Sequence, residues 1–393
     1  MVAVALFLLM GSAALAVDAG YYQYQQRLQQ TAADSAALAG AAEKFGGKNF
    51  VQAAKNDASS NGYTDGSNNV TITVNNPPAS PSPFHGDTSA VEVIVKAVHP
   101  TFFASALGWN NVPVSTRAVA TVQPAPGGCI FMLDPTQNTN FNNPGGNNAL
   151  SISAPNCSIY LNGSGNFNNQ TVNALSVNCV GGCSNTSGVT PAATSGGTPA
   201  NDPCFEIGSC ADLTNNPPST ATCLSGNFSG NKNTPGLATP GCYSSLTFSG
   251  VVNLSPGLYV INGAMTADNA TLANATVGGN TGVTIYFTSS GTMSVNKATL
   301  NLSACTTTCV NGAEANVLFY QVQGNTNAPN FNKSTNLNLA GLLYFPSASL
   351  NLNKSLGTGS VIVAGSANFN GGNYTFVGPG IGSFAPKQAV LGE

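Results

Sequence analysis

The sequence carries very little charge. Lys, Arg, Asp and Glu together make up 6% of its 393 residues, against about 25% in ordinary soluble domains. The formal net charge is −3 and the chain has 2 histidines. This balance leaves no basic surface for nucleic acid, so we expect no nucleic-acid partner. Because 42% of the residues are hydrophobic, the chain has enough apolar material to fold rather than remain disordered.

Groups that could catalyse hydrolysis are also scarce. Between residues 246 and 393 the acids are Asp268, Glu314 and Glu393, and this stretch contains no Arg and no His. Enzymes that cleave polysaccharides use clustered acids, calcium or a basic residue. The sequence also lacks a glycine-rich phosphate loop ending in Lys-Ser or Lys-Thr. We therefore predict no catalytic residue, no cofactor and no enzymatic activity.

Cysteine is absent from the first 128 residues and then occurs ten times. An even number, with so few histidines as possible metal ligands, favours disulfides formed in an oxidising compartment. Zinc binding is the alternative, because two Cys-x3-Cys pairs are present. We expect no metal and predict local pairs 179–183, 305–309 and 223–242. The ten candidates are Cys129, Cys157, Cys179, Cys183, Cys204, Cys210, Cys223, Cys242, Cys305 and Cys309.

Basic residues are missing from the start of the chain, where the first one is Arg27. Residues Val2 to Val17 are all apolar or small, and about 20 such residues cross a bilayer. The tyrosines at positions 21, 22 and 24 would place aromatic rings at a membrane interface. We predict a retained transmembrane anchor over residues 1–20, with a cleaved signal peptide as the alternative. Without a basic flank, the orientation of the anchor rests on the disulfides.

Two short motifs follow one another near the start of the chain. Residues 14–20, ALAVDAG, close the apolar run, and residues 28–40 read LQQTAADSAALAG. In this order they resemble the N-terminus of TadE/TadG-like Flp pilus-assembly proteins, in which A-V-D-x-G is followed by a helix with L-Q-x-A-A-D-A-A-A-L-A-G. The later block PTFFASALG with VPVSTRAVATV is similar to another motif of that family. The resemblance covers roughly the first 125 residues.

This resemblance implies a non-enzymatic component of a bacterial Flp or tight-adherence pilus, anchored in the inner membrane, with its C-terminal part periplasmic or extracellular. Its partners would be the inner membrane and other pilus-assembly proteins. Small residues at helical spacing also let another helix approach closely. For Asp18 we expect a solvated carboxylate at the membrane border, with a partner contact as the alternative. The predicted anchor and helix-packing residues are Val17, Asp18, Gly20, Ala32, Asp34, Ala36, Ala39 and Gly40.

Residues 21–125 are predicted to form a helix and a small α/β domain with a pilin-like order of elements. Alternating apolar residues indicate strands at 70–74, 90–98 and 112–122. Pro100 is expected to open a short helix that ends at Gly108. We expect structural roles for His85 and His99, which lie far from any nucleophile or paired acid, and a core-capping role for Trp109.

The remaining chain is predicted to be mainly β. The string LLYFPSASLN at 342 recurs as VIVAGSANFN at 361, ALS recurs at 149 and 174, and ATL recurs at 270 and 298. Repeats of this length favour a parallel β-solenoid, with an antiparallel β-sandwich as the alternative. The predicted regions are a first β region at 126–180, a Cys/Pro-rich insertion at 181–245 and the solenoid at 246–385.

Three tyrosines suggest a second class of function. If Tyr320, Tyr344 and Tyr374 lined up along an exposed face of the solenoid, they would form a carbohydrate-binding or adhesion surface with surface glycans as partners. For the rings themselves we expect filling of the β-region core, with glycan binding as the alternative.

Overall fold

The chain divides into two compact units, and the sequence of the second interrupts the sequence of the first. The computed structural model describes residues 2–45, 48–124, 127–142, 150–197, 199–206, 208–334, 336–353, 355–357, 359–376 and 387–392. The first unit combines residues 1–123 with 387–393, and the second contains residues 124–386.

The first unit begins with two helices, α1 (Val2–Phe45) and α2 (Phe50–Ser60). Helix α2 was not predicted from the sequence. Its start is fixed by Asn49, whose side-chain oxygen accepts a hydrogen bond of 3.1 Å from the backbone N–H of Gln52, an ordinary N-cap. Within the described residues, no helix has both the length and the apolar character needed to cross a membrane.

A four-stranded sheet completes the first unit. It consists of β1 (Thr71–Asn75), β2 (Val91–Pro100), β3 (Asn111–Pro124) and a C-terminal strand (Lys387–Leu391), in that order. The pairs β1/β2 and β2/β3 are antiparallel. A short 3-10 helix at Ala104–Leu107 lies between β2 and β3 and ends at Gly108, whose φ of 89° suits glycine. Pro100 ends β2 and does not open this helix.

The core of the first unit is made of small side chains on α1 and branched ones on β2. The buried alanines at positions 32, 33, 36, 37 and 41 belong to the same cluster as the β2 valines at 91, 93 and 95. A methyl group added to Gly40 would lie 3.1 Å from Val91 Cγ1 and 3.4 Å from Ala54 Cβ. The second half of α1 therefore lies very close to both α2 and the sheet.

The second unit is mainly β, and its largest sheet has 18 strands. It also contains a 3-10 helix (Pro203–Glu206) and helix α3 (Gly208–Asn215). The strands are β4 (Gly128–Met132), β5 (Asn138–Asn142), β6 (Ser151–Ala154), β7 (Ser158–Leu161), β8 (Ser164–Asn166), β9 (Thr171–Ala174), β10 (Val177–Cys179), β11 (Cys183–Ser184), β12 (Val189–Thr190), β13 (Thr194–Ser195), β14 (Leu224–Gly230), β15 (Gly236–Ala238), β16 (Gly241–Leu254), β17 (Gly257–Asn274), β18 (Val283–Phe287), β19 (Thr292–Asn296), β20 (Thr299–Ser303), β21 (Val317–Gln321), β22 (Asn330–Lys333), β23 (Asn336–Leu352), β24 (Gly359–Asn370) and β25 (Asn373–Thr375).

The strand pairing of the second unit is parallel and solenoid-like. Each described pairing of the large sheet is parallel, for example β16/β17, β17/β18 and β23/β24, and so is each described pairing in the smaller sheet β12-β9-β6-β25. An antiparallel sandwich does not fit this pattern. Aromatic rings stack along the interior, where Phe141 lies 4.5 Å from Phe167 and 5.1 Å from Phe369 between ring centroids.

Two of the three sequence repeats correspond to neighbouring rungs. Leu342 pairs with Val361 and Thr271 pairs with Thr299, as the repeats predict. The third repeat, ALS at 149 and 174, gives the wrong strand pairing, because Ala174 pairs with Ala154. Ala149 lies outside the described residues. A three-residue match in a chain rich in Ala, Leu and Ser is too short to define a rung.

The order of rungs in space differs from their order in the chain. Strand β24 pairs with β4 and β5, so strands β4, β5, β7, β8, β10, β11 and β13 continue the stack beyond the C-terminal strands. After β13 the chain must return to β14, at the opposite end of the stack. We call the returning residues 199–206 and 208–223 the strap. The predicted insertion at 181–245 contains this strap, but its two ends contribute strands β11–β13 and β14–β16 to the sheets.

Candidate functional site at the helix junction

Asp18 connects the start of α1 to the loop after β2. Its carboxylate accepts hydrogen bonds from the backbone N–H groups of Phe102 (2.9 Å), Phe103 (3.1 Å) and Ala104 (2.7 Å). These groups stand at the beginning of the 3-10 helix, where a helix has no partners of its own for them. The prediction of a solvated carboxylate is wrong, since Asp18 is buried. The residue instead joins two of the motifs that resemble the pilus-assembly family.

Large apolar side chains surround this junction and face solvent. Phe102, Phe103 and Trp109 are 56%, 52% and 68% exposed. Leu15 and Val17, in the turn of α1 just before Asp18, are 65% and 52% exposed. Trp109 therefore does not cap the core as predicted. The five side chains form the apolar surface of the junction.

Gln29 ties the middle of α1 to the sheet. Its amide nitrogen donates hydrogen bonds to the backbone oxygens of Val95 (2.7 Å) and Val114 (3.0 Å), and its backbone oxygen accepts one from Thr116 Oγ1 (3.1 Å). His99 Nε2 lies 3.2 Å from the side-chain oxygen of Gln29. Burial lowers the pKa of His99, so the ring is neutral at neutral pH and has the structural role predicted for it.

The small residues of α1 pack within the first unit. Ala32, Ala36 and Gly40 are buried beside α2 and β2, and Ala39 is half-buried. Helix α2 thus occupies the position where the sequence indicated a close neighbouring helix. Asp34 is half-buried and accepts a hydrogen bond of 2.7 Å from Gln30 Nε2. At Gly20, by contrast, an added methyl group would meet no atom within 4 Å among those described.

All ten cysteines are paired, and the three predicted pairs are among them. The disulfides join 129 to 157, 179 to 183, 204 to 210, 223 to 242 and 305 to 309. The Cys223–Cys242 bond links the end of the strap to β16.

The strap covers a column of tyrosines on the second unit. Tyr344 stacks on Tyr320 at 5.0 Å between ring centroids, and Tyr320 stacks on Tyr286 at 5.2 Å. The Tyr344 hydroxyl donates a hydrogen bond of 2.6 Å to Asp202 Oδ2 in the strap, and the hydroxyls of Tyr320 and Thr214 lie 2.7 Å apart. Tyr320 and Tyr344 therefore line up, but they face the strap instead of solvent.

Tyr374 is also buried, in the interior of the solenoid-like sheet. All three tyrosines are buried, as expected for core filling, so they do not form the exposed aromatic row that would have favoured sugar binding.

Asp268 and Glu314, the two acids considered for catalysis, lie in separate segments of the second unit. Asp268 lies on β17 and accepts a hydrogen bond of 2.7 Å from Asn296 Nδ2. Glu314 precedes β21, where its backbone N–H donates to Thr284 Oγ1 (2.8 Å) and burial raises the pKa of its carboxyl. In the part of the chain that the structure describes, no three His, Cys, Asp or Glu side chains are grouped as a metal ion would require.

Sequence reasoning missed the connection between Asp18 and the Phe102 loop. The signal was present, because Asp18 is the only charged residue before Arg27. An isolated acid in an apolar segment needs a partner that offsets its lost hydration. The backbone N–H groups that fill this need could not be identified without the fold.

Comparison with known protein families gives one match. Residues 1–43 match the family described as putative Flp pilus-assembly TadE/G-like. The match covers most of α1 and is shorter than the resemblance described above, which extended through the PTFFASALG block. Searches of curated proteins and of solved structures found no match. The matched segment suggests a role related to Flp pilus assembly and association with pilus-assembly components.

Proposed function

We propose that this chain is a non-enzymatic, membrane-anchored component of a bacterial Flp pilus-assembly system. The observation that carries the proposal is the family match over residues 1–43. Within that segment, Asp18 and Gln29 connect α1 to the rest of the first unit, because Asp18 binds the loop after β2 and Gln29 binds the sheet. A pull on the helix is thereby transmitted to the folded unit.

In this proposal the apolar residues from Val2 to Val17 enter the inner membrane as a single-pass anchor, and the rest of the chain lies on its outer side. The five disulfides support an oxidising location for the second unit. The β-rich unit is then the part displayed to the periplasm or beyond. Its small number of acids supports a role in assembly or adhesion without catalysis.

The proposal is tested in the native bacterium by deleting the gene and restoring it as wild type, Asp18→Asn or Asp34→Asn. We expect deletion to abolish surface Flp pili, and wild type and Asp34→Asn to restore them. Asp18→Asn should restore fewer pili, because an amide oxygen cannot replace a carboxylate that accepts three backbone hydrogen bonds. Pili are counted by electron microscopy, and the amount of each variant is measured in isolated inner membranes.

Two results would overturn the proposal. One is normal piliation in the deletion strain. The other is recovery of the protein from the soluble periplasmic fraction with the residues before Tyr21 removed. Protein level in the membrane separates a folding failure of Asp18→Asn from a failure in assembly.

A further inference from the structure

Large apolar residues are exposed on both sides of the Asp18 junction, where they contribute nothing to the core of the first unit. We call Leu15, Val17, Phe102, Phe103 and Trp109 the apolar foot. Each side chain is more than half exposed, and none of the five belongs to the buried core cluster of the first unit. A cluster of large exposed apolar groups marks an interaction surface.

The position of the foot along α1 is fixed by two contacts. Asp18 holds the N–H groups of Phe102, Phe103 and Ala104, and the Tyr21 ring packs edge-on against Phe102 at 4.9 Å between centroids. With a rise of about 1.5 Å per residue, the loop is therefore held at the level where the apolar run Val2–Val17 ends. At this level the loop residues of the foot add apolar side chains beside those of the helix.

The charge distribution identifies the chemistry of the partner. Asp18 is the only charged residue among the first 26, and its carboxylate is buried by the loop. From residue 97 to 116 the only titratable side chain is His99, which is buried and kept neutral because burial lowers its pKa. Contact with a nonpolar phase would thus leave no charge to desolvate. Tryptophan and other aromatic rings are the residues that accumulate at the boundary between acyl chains and headgroups.

We propose that the apolar foot rests on the lipid surface of the membrane, with Phe102, Phe103 and Trp109 inserted at the boundary between headgroups and acyl chains. This inference rests on the proposed entry of α1 into the membrane and adds a second contact beside it. Two contacts at one level fix the orientation of the first unit on the bilayer, which a single helix would leave free to rotate and tilt.

Trp109 is the single tryptophan of the chain, so its fluorescence reports on the foot alone. The full chain is reconstituted into phosphatidylethanolamine–phosphatidylglycerol vesicles, with or without lipids brominated on the acyl chain near the headgroup. We expect Trp109 emission to be strongly quenched by the brominated lipid. Phe103→Ser should reduce the quenching severalfold while the chain still floats with the vesicles. Leu224→Ser, on a residue of the second unit that is 71% exposed, should change neither quantity.

Each other outcome decides against a defined part of the proposal. A chain that floats with vesicles but shows no quenching of Trp109 overturns the foot and leaves the anchor intact. A chain that does not float overturns the anchor and the proposed function. A blue shift of Trp109 that grows with protein concentration, without quenching by brominated lipid, assigns the foot to a second copy of the chain. Hydrogen exchange of the amides at 102–104 verifies that Phe103→Ser keeps the loop on Asp18.

Discussion

Glu92 shows at the residue scale how the first unit depends on a buried charge. Its carboxylate pairs with Arg117, and accepts hydrogen bonds from Asn75 Nδ2 (2.5 Å) and the N–H of Ala79 (3.2 Å). Burial alone would raise the pKa of Glu92, but these hydrogen bonds and Arg117 hold it below its usual value. The lowered pKa means that the folded carboxylate binds a proton less readily than the unfolded one.

This sign gives a prediction about pH. A lowered folded pKa contributes stability that is complete above the unfolded value near 4.5 and is lost as pH falls through the folded pKa. We expect Glu92→Gln to lower the free energy of unfolding of the first unit at pH 7 by about 1.5–3 kcal/mol. The variant should also lose less stability than wild type when the pH is lowered from 6 to 3. Urea unfolding, monitored by hydrogen exchange of the β2 amides, measures the free energy of unfolding at pH 7 and its change with pH.

A matched control for this test is Glu43→Gln. Glu43 forms an exposed ion pair with Lys48 at 3.2 Å, and such pairs contribute at most about 1 kcal/mol. Equal pH dependence in Glu92→Gln and wild type would contradict the assignment of the acid-sensitive stability to Glu92.

At the scale of elements, Gly40 and Gly20 test the close packing of α1. Leucine at Gly40 would be forced against Val91 and Ala54, and overpacking of this kind costs about 1–3 kcal/mol. A Cβ at Gly20 would meet no described atom within 4 Å, and leucine replaces a poor helix former by a good one, which is worth up to about 1 kcal/mol. We therefore expect Gly40→Leu to destabilise the first unit and Gly20→Leu to leave it unchanged or more stable. Thermal unfolding of the full chain compares the two, and equal effects would show that α1 does not pack through Gly40.

The strap is a second element whose packing can be tested, because the Cys223–Cys242 disulfide holds its end on β16. In the chain-entropy description, closing a loop of the length between Cys223 and Cys242 is worth about 3 kcal/mol. Replacing both cysteines by serine should loosen the end of the strap and speed its proteolysis, while Cys305→Ser with Cys309→Ser should not. The readout is limited proteolysis with mass spectrometry. Unchanged cleavage in the strap would show that the contacts of Asp202 and Thr214 hold it without the disulfide.

Local patterns in the sequence predicted individual strands better than the register in which those strands pair. Alternation in AVEVIVKAV at 90–98 was sufficient to predict most of β2, and the repeat of ATL was sufficient for the pairing of Thr271 with Thr299. Register was lost where a bulge intervenes. The repeat aligns Ser347 with Ser366, but the irregularity after Phe345 pairs Ser349 with Ser366.

Contacts between distant segments could not be predicted. Asp18 and Phe102 are 84 residues apart, and nothing in either motif states which backbone groups the carboxylate will accept. The strap was similarly hidden, because its irregular composition describes a loop but does not show that the loop follows a column of tyrosines. In both cases the closing of a long loop decides the contact, and the local sequence does not encode it.

At the scale of the whole molecule, the last residues of the chain belong to the first unit and not to the β-rich unit that precedes them. The C-terminal strand is the neighbour of β3 in the sheet, Ala389 packs against the core of the first unit, and the N–H of Gly392 donates a hydrogen bond of 2.8 Å to the backbone oxygen of Val119. The sequence prediction ended the solenoid at 385 and gave the remaining residues no role.

Deleting residues 387–393 should therefore destabilise the first unit, although most of that unit lies at the other end of the sequence. Without the C-terminal strand, β3 becomes an edge with unpaired backbone groups, and part of the α1 core is uncovered. We expect hydrogen exchange to accelerate in α1 and β3 and to stay unchanged in β16–β24, whose pairing does not involve the deleted residues. Leu391→Ser, on a partly exposed side chain of the same strand, serves as the control and should leave both units protected. Faster exchange in β16–β24 together with an unchanged first unit would contradict the insertion, because it would place the C-terminal strand with the β-rich unit.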